Sequence, residues 1–563
     1  MVTIPALMDE SPRRAMTLAS SLRRVVSFPI FLAALLVAGA FSGAKPNILD
    51  PDTWWHIAVG QRILQTHAWP QTDVYSWTVS GTPWIAYEWL GEVGMGAAAS
   101  IGGMWSATML LVALAAILTI LIYYYASLRC GDCKAAFVAA VTLLPILVPF
   151  FTLRPQLMGA IFLVITLIVL EKFRRGNARA LWILPPLFLC WVNTHGSFVF
   201  GFLALGVTWL AGQTEFSAGG IFAERWTRSQ SLQLLVSIFF CVLILPVTPY
   251  GTRVAAYPLT MALGQPVNVN NIQEWQPVGT QLMLGKFFLV VVLLFFLVSL
   301  LQQPRFRLAE VALALFGVYA ACVHLRFIML FVILLAPLWA LMLSRWVPAY
   351  RREIDHPWIN AALMSAIAIG MIFFFPSRRD LGERVAKDYP MGAVQYLTQH
   401  PVQGRVLNEY GWGGFLIWAG APRNLIFIDG RADIYEFEGV LSDYLSIVRL
   451  EPKAFQLLNK YDVQACLIPI DGPLNTALSA VPGWERVFHD QVAAVYIRKT
   501  AAPGQSEAPT DHKAAPRIVG GEVNAIRNKE NVFLNTNGHS RLGPTAFSSA
   551  QLIDLTGSYL QAR

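Results

Sequence analysis

Apolar runs recur through the first 375 residues, at roughly 27–43, 104–126, 135–150, 156–171, 181–193, 198–213, 231–247, 287–301, 308–323, 327–344 and 358–375. This pattern predicts membrane-spanning helices. Several runs are shorter than the ~20 residues a bilayer normally requires, which predicts tilted or partly re-entrant segments. With the N-terminus inside, the inner loops collect Arg13, Arg14, Arg23, Arg24, Arg129, Lys134, Lys172, Arg174, Arg175, Arg179, Arg225, Arg228, Arg305, Arg307, Arg345, Arg351 and Arg352. The outer loops hold only Lys45, Arg62, Arg154, Arg253, Lys286 and Arg326. That asymmetry follows the positive-inside rule and predicts a cytoplasmic N-terminal segment 1–26 with the C-terminal region outside. The stretch 83–100 is apolar enough for one more short span, but adding it would reverse every later loop, so we place it as a helix on the outer face. Ala38-Gly39-Ala40 resembles a signal-peptide cleavage site. The acids that follow look anchored to the first run, which is therefore read as a retained span.

Beyond Phe375 the pattern changes to alternating helix-like and strand-like segments. Residues 390–400 and 453–460 read as helices, 404–408, 414–418, 425–428 and 465–470 as extended. Residues 485–489 and 492–497 read as a hairpin around Asp490-Gln491. This predicts a small α/β domain over 376–500, large enough for its own core. From 501 to 563 the chain turns rich in Ala, Pro, Ser, Asn and Gly and reads as a disordered tail. Its Ile518-Val519-Gly520-Gly521 resembles the mature start of a trypsin-like protease, but too little chain follows for that fold.

Composition agrees: 55% of residues are hydrophobic and 13% charged, against about 25% charged in soluble domains. The net charge of +8 sits in the inner loops, so nucleic acid is excluded as a partner. The fold class expected is an α-helical polytopic membrane protein of about 11–13 spans, between loops 44–103 and 248–286 on the outer face, with the α/β domain outside. Six scattered cysteines imply no disulfide framework, and Cys130-Gly131-Asp132-Cys133 reads as a reduced pair in an inner loop.

Chemistry-bearing residues gather in the outer loops. Asp50-Pro51-Asp52-Thr53-Trp54-Trp55-His56 follows the first span. Asp50 before Pro51 suits a helix N-cap, Asp52 falls in the first turn where the dipole favours its charge, and His56 lies one turn on. Asp52 beside His56 makes a general-base arrangement, and the tryptophans read as interfacial anchors. Asp73 and Glu88 are candidates for lining a polar cavity, as are Asn193 and His195 at a hairpin tip and Glu274 in the second large loop. Arg154 and Arg326 sit in tight outer turns and suit a lipid phosphate. In the C-terminal domain Asp429 and Arg431 are candidates, with Arg431 and Asp433 able to form a local ion pair.

An acidic motif after the first span, a long first outer loop, many spans and an outer C-terminal domain together resemble the GT-C superfamily of glycosyltransferases. Asn271-Ile272-Gln273-Glu274-Trp275-Gln276-Pro277 is similar to the Glu-containing loop of the oligosaccharyltransferase catalytic subunit. Residues 408–418 and 426–433 are similar to the acceptor-recognition region of that subunit. The resemblance covers roughly residues 27–440. It implies an inverting transfer of sugar from a polyprenyl-phosphate donor, with Asp52 or Asp50 matching the acidic residue of the first outer loop. Two departures stand out. Arg154 lies where metal-dependent oligosaccharyltransferases place paired acids, and the Trp-Trp-Asp signature is replaced by Glu409-Tyr410-Gly411-Trp412. The expectation is therefore a metal-free enzyme with no cofactor, closer to the mannosyl- and arabinosyltransferase type.

The resulting reading is a multi-pass protein of a bacterial inner membrane. It transfers a sugar from a polyprenyl-phosphate-linked donor to an extracytoplasmic glycan, lipid or protein acceptor. Asp52, Asp50 and His56 are the catalytic candidates and Arg326 and Arg154 the phosphate binders. The alternatives are a transporter or flippase for a lipid-linked or anionic substrate, and a non-catalytic scaffold of the same fold.

Overall fold

The computed structural model describes residues 25–45 and 49–499; the N-terminal segment before 25, the tail after 499 and the protease-like tetrapeptide lie outside them. Every expected span falls on a helix. Met104–Cys130, Cys133–Phe150, Pro155–Arg174, Met283–Gln302 and Leu325–Leu343 are long and apolar enough to cross a membrane. Pro357–Phe373 joins that group together with Arg378–Asp388, from which it is bent by 55°. Phe28–Ala44, Ala178–Val192, Phe198–Ala211, Arg228–Ile244 and Leu308–Val323 are shorter. The 14 residues of Phe198–Ala211 extend about 21 Å, less than the about 30 Å hydrocarbon core, so helices of this length span only with their flanking turns. The protein is a multi-pass helical membrane protein in which Ile328–Leu343 is buried along nearly its whole length. Met283–Gln302, by contrast, turns most of its apolar surface outward.

Two amphipathic helices lie outside these spans and carry most of the chemistry. Pro51–Thr66 starts as the sequence predicts: the Asp52 backbone N–H donates to Asp50 Oδ1 at 3.0 Å, Asp50 is extended, and Pro51 opens the helix. The stretch 83–100 is helical only from Trp89: the helix Trp89–Gly102 packs closely along Pro51–Thr66, while Pro83 bridges Thr72. The two backbones touch where Gly60 meets Gly96. A Cβ on Gly60 would lie 1.8 Å from the Glu92 carbonyl oxygen, and one on Gly96 2.5 Å from the Gln61 nitrogen. This near-contact sets Glu92 opposite His56.

At the other end of the bundle a short sheet joins β1 (Phe216–Ala218), β2 (Ile221–Ala223) and β3 (Phe306–Arg307). The C-terminal region builds a second sheet from β4 (Arg405–Asn408), β5 (Val463–Pro469), β6 (Trp484–His489) and β7 (Ala493–Arg498), in the order β4-β5-β7-β6. β4 runs parallel to β5, and the remaining pairs, including the β6–β7 hairpin, are antiparallel.

Two extended readings are corrected. Residues 414–418 belong to the helix Tyr410–Ala419, whose Gly414 rides against the carbonyl of Pro51. Residues 425–428 form no ladder strand. The Phe427 and Ile428 N–H groups are held by Asn408 Oδ1, the Ile428 carbonyl accepts from Asn408 Nδ2, and the Ile426 carbonyl accepts from the Trp77 N–H. The Asn408 side chain and the Trp77 backbone N–H satisfy this backbone, so no ladder strand is needed. The tryptophans are also reassigned. Trp54 is fully buried against Tyr389, Phe415 and Trp418, and Trp55 is buried with its N–H on Asp52 Oδ1 at 3.2 Å. Neither is an interfacial anchor, because the C-terminal region covers this helix.

Replacing Gly96 by valine is expected to destabilise the protein by about 1–3 kcal/mol through overpacking at the crossing. The measurement is the thermal midpoint in detergent; a midpoint equal to that of the unaltered protein would contradict the close-contact account.

Candidate functional site

Seven segments of the chain close a polar cavity of about 210 Å³. The Pro51–Thr66 helix presents Asp52, Trp55 and His56, and the first long loop with its helix presents Tyr87, Glu88 and Glu92. The turns around Arg154, His195, Glu274 and Arg326 supply their side chains, and the C-terminal region contributes Tyr410, Gly430, Arg431 and Asp433.

Arg154 is the hub. Its Nε donates to Asp50 Oδ1 at 2.7 Å, and its Nη1 lies 3.0 Å from Asp52 Oδ2 and 2.6 Å from Glu274 Oε1. Expected as a phosphate ligand, it is instead engaged by three carboxylates. Burial alone raises an acid's pKa, and a nearby cation lowers it. Burial pushes the Asp52 carboxyl up, Arg154 opposes this, and Asp50 and Glu274 add to it, leaving Asp52 at about 7. Glu274 is pushed up by burial too, but Arg154 and Arg326 outweigh that and hold it below the usual range. Gly430 makes room for Asp52: a Cβ there would lie 1.9 Å from Asp52 Oδ1.

His56 does not pair with Asp52. Its Nδ1 is 3.1 Å from Glu92 Oε1 and its Nε2 3.7 Å from Glu88 Oε2, while His195 Nε2 is 3.4 Å from Glu88 Oε1. One helical turn separates Glu88 from Glu92, so both face the imidazole. Burial raises Glu88 to about 8 and raises Glu92 as well. Burial also lowers His56, and lowers His195 to about 3. Burial thus disfavours charge on all four groups. Ligand atoms of His56, Glu88 and Glu92 lie within 4.8 Å of one another, a donor set able to hold a divalent cation.

Arg326, on the turn Leu325–Phe327, stacks on Trp275 with its guanidinium 4.3 Å from the ring centroid and makes no ion pair among the described residues. That turn is tied to the Glu274 loop by His324 Nδ1, 2.6 Å from the Trp275 carbonyl oxygen. Arg326 also borders a second, largely apolar cavity of about 380 Å³. Tyr87, Gln156, His195, Met261 and Trp275 line both, so the polar and apolar spaces meet at Arg326.

Other candidates support the walls. Arg431 reaches the cavity but is fully used: it forms a two-pronged pair with Asp429 at 2.8 and 2.6 Å, and its Nη1 donates to Asp73 at 2.7 Å. It also stacks over Tyr75 and Trp84. The local pair expected with Asp433 is absent, and Asp433 accepts from Tyr257 instead. Asp73 and Asp429 do not line the cavity, nor does Asn193, whose side chain accepts from Trp89 Nε1 and donates to the Leu189 and Val247 carbonyls. Sequence reasoning missed Glu92, whose spacing from Glu88 was a usable signal. It also missed Tyr87, Tyr410 and Asp433, for which there was none.

No family model matches the chain, and no curated protein does. Among solved structures it is similar to ArnT from Cupriavidus metallidurans bound to undecaprenyl phosphate, at 14% identity, covering 83% of this chain and 97% of that one, with a TM-score of 0.48. It is similar to the apo oligosaccharyltransferase of Archaeoglobus fulgidus at 13% identity, covering 78% and 70%, with a TM-score of 0.44. A third is AglB of that archaeon with an inhibitory peptide and a dolichol-phosphate, at 14% identity, 83% and 74% coverage and a TM-score of 0.41.

Replacing Arg431 by methionine strands two buried carboxylates and is expected to cost about 3–5 kcal/mol, read as a large fall in thermal midpoint. Arg379→Met, which breaks the exposed pair with Glu383, is the matched control and should leave the midpoint unchanged. Equal midpoints for the two variants would refute the clamp.

Proposed function

We propose that the protein is a membrane glycosyltransferase of GT-C type that takes its sugar from a polyprenyl-phosphate donor. The observation carrying this is the junction at Arg326, where an apolar cavity suited to an isoprenoid chain opens into a polar one holding Asp52, Glu88 and Glu274. The free guanidinium at the junction suits a phosphate attached to that chain.

In this reading the acceptor hydroxyl gives its proton to Asp52 while its oxygen attacks the anomeric carbon. The bond from that carbon to the phosphate oxygen breaks, and the lipid phosphate leaves with the electron pair beside Arg326. Attack opposite the leaving group inverts the anomeric centre. Asp52 is suited to the base role because a carboxyl at about 7 is a stronger base than an ordinary aspartate. Asp50, through Arg154, fixes its orientation. Glu88, His195 and Glu274 shape the sugar pocket, and Tyr410 and Asp433 face the acceptor side. Arg154 places one positive charge among Asp50, Asp52 and Glu274, which supports the reading without a divalent cation. The cavity faces the extracytoplasmic side of a bacterial inner membrane, where a glycan, lipid or protein acceptor is met.

Asp52→Asn is expected to abolish transfer from a polyprenyl-phosphate sugar by purified protein; retained transfer removes Asp52 as the base. In the unaltered protein the deprotonated fraction of a group at about 7 falls as pH drops. The rate should therefore decline about tenfold per pH unit below that point. A profile flat to about pH 4, as an ordinary aspartate gives, is the contrary result.

Addition of EDTA is expected to leave the rate unchanged. Complete loss, restored by a divalent cation, would instead place a metal at His56, Glu88 and Glu92 and overturn the metal-free mechanism.

A further inference from the structure

The Pro155–Arg174 helix carries Pro155 into the wall of the polar cavity and Arg174 into a different cavity at its other end. Its 20 residues separate the two by about 30 Å, the thickness of a bilayer core. This second cavity has a volume of about 200 Å³ and is walled by Arg174, Arg225, Arg307, Gln230 and Trp226, with Glu224 as its sole acid. Arg307 is neutralised by Glu171 and Glu310. Arg174 and Arg225 make no hydrogen bond or ion pair among the described residues; Arg174 faces the Trp226 ring, 5.9 Å from its centroid, and also borders a small neighbouring cavity with Glu171 and Glu310.

The wall that holds these groups is rigid. Trp226 packs edge-on to Phe173 at 5.4 Å, and its backbone N–H donates to the Gly212 carbonyl at 2.8 Å. Gly212 is small for a reason: a Cβ there would strike the Trp226 ring at 2.4 Å. On the same elements Leu210 is 60% exposed, Phe216 43% and Leu232 61%, an apolar surround that lipid covers and water does not favour. Two guanidiniums that make no hydrogen bond or ion pair among the described residues, an aromatic wall and an apolar rim, one bilayer thickness from the reaction cavity, match the needs of a charged lipid headgroup.

We propose that this cavity binds the phosphate of an anionic phospholipid from the leaflet opposite the reaction cavity. The site is independent of the transferase reading, since it shares no residue with the cavity holding Asp52. The test is native mass spectrometry of the full purified chain with added phosphatidylglycerol or phosphatidylcholine. It is run in an Arg326→Gln background, so that the other unpaired arginine facing an apolar cavity does not contribute. Phosphatidylglycerol should be retained as an adduct and phosphatidylcholine lost. Adding Arg174→Gln and Arg225→Gln should reduce retention on the order of tenfold. Arg225 is exposed, so Arg225→Gln alone tests the site without risk to folding and should weaken retention by a smaller factor. Equal retention of both lipids, or undiminished retention in the arginine variants, overturns the proposal. Displacement of phosphatidylglycerol by millimolar inorganic phosphate shows a free-anion site instead and also overturns it.

Discussion

The ion cluster around Arg154 is the constraint on which the rest of the site depends. Three carboxylates from two loops more than two hundred residues apart in sequence approach one guanidinium. Without that cation, Asp50, Asp52 and Glu274 would repel one another in a setting of weak screening. With it, the first long loop, the turn before Pro155 and the Glu274 loop are fixed to a common point. The charge also sets the chemistry: with Arg326 it holds Glu274 low, while alone it does not offset the burial of Asp52. Two acids on the same arginine thus take different roles from their surroundings alone.

Beside that cluster lies a second group, His56, Glu88, Glu92 and His195, in which burial disfavours charge on every member. One cavity therefore holds a region organised around a cation next to a region where burial works against charge. The apolar cavity begins where both end, at Arg326 and Trp275.

Much of this was legible in the sequence where the cause is local. Span positions follow from the length of apolar runs, and the Asp50 cap from its place before a proline. The β6–β7 hairpin follows from alternation on either side of Asp490-Gln491. What escaped is what depends on a distant partner. His56 was matched to Asp52 because four residues separate them, yet a helix one loop later supplies Glu92 and Glu88. Trp54 and Trp55 look interfacial until the C-terminal region covers them. Ile426–Ile428 has the composition of a strand, but Asn408 and Trp77 take its hydrogen bonds. Arg154, Asp50, Asp52 and Glu274 were each identified as candidates for the site, while their pairing was visible only in three dimensions.

The Arg431 pairing bears on how this protein can be divided. Its guanidinium joins Asp73 of the first long loop to Asp429 beyond the last membrane helix, with every member fully buried. Neither half of the chain is electrically complete alone. The segment after Phe375 looks like an appended module in sequence, but it carries the counter-charge of a loop laid down hundreds of residues earlier. A recombination that exchanged this segment between related chains would have to exchange the loop with it. The buried charge of Arg431 thus ties residues on both sides of the change in composition at residue 376.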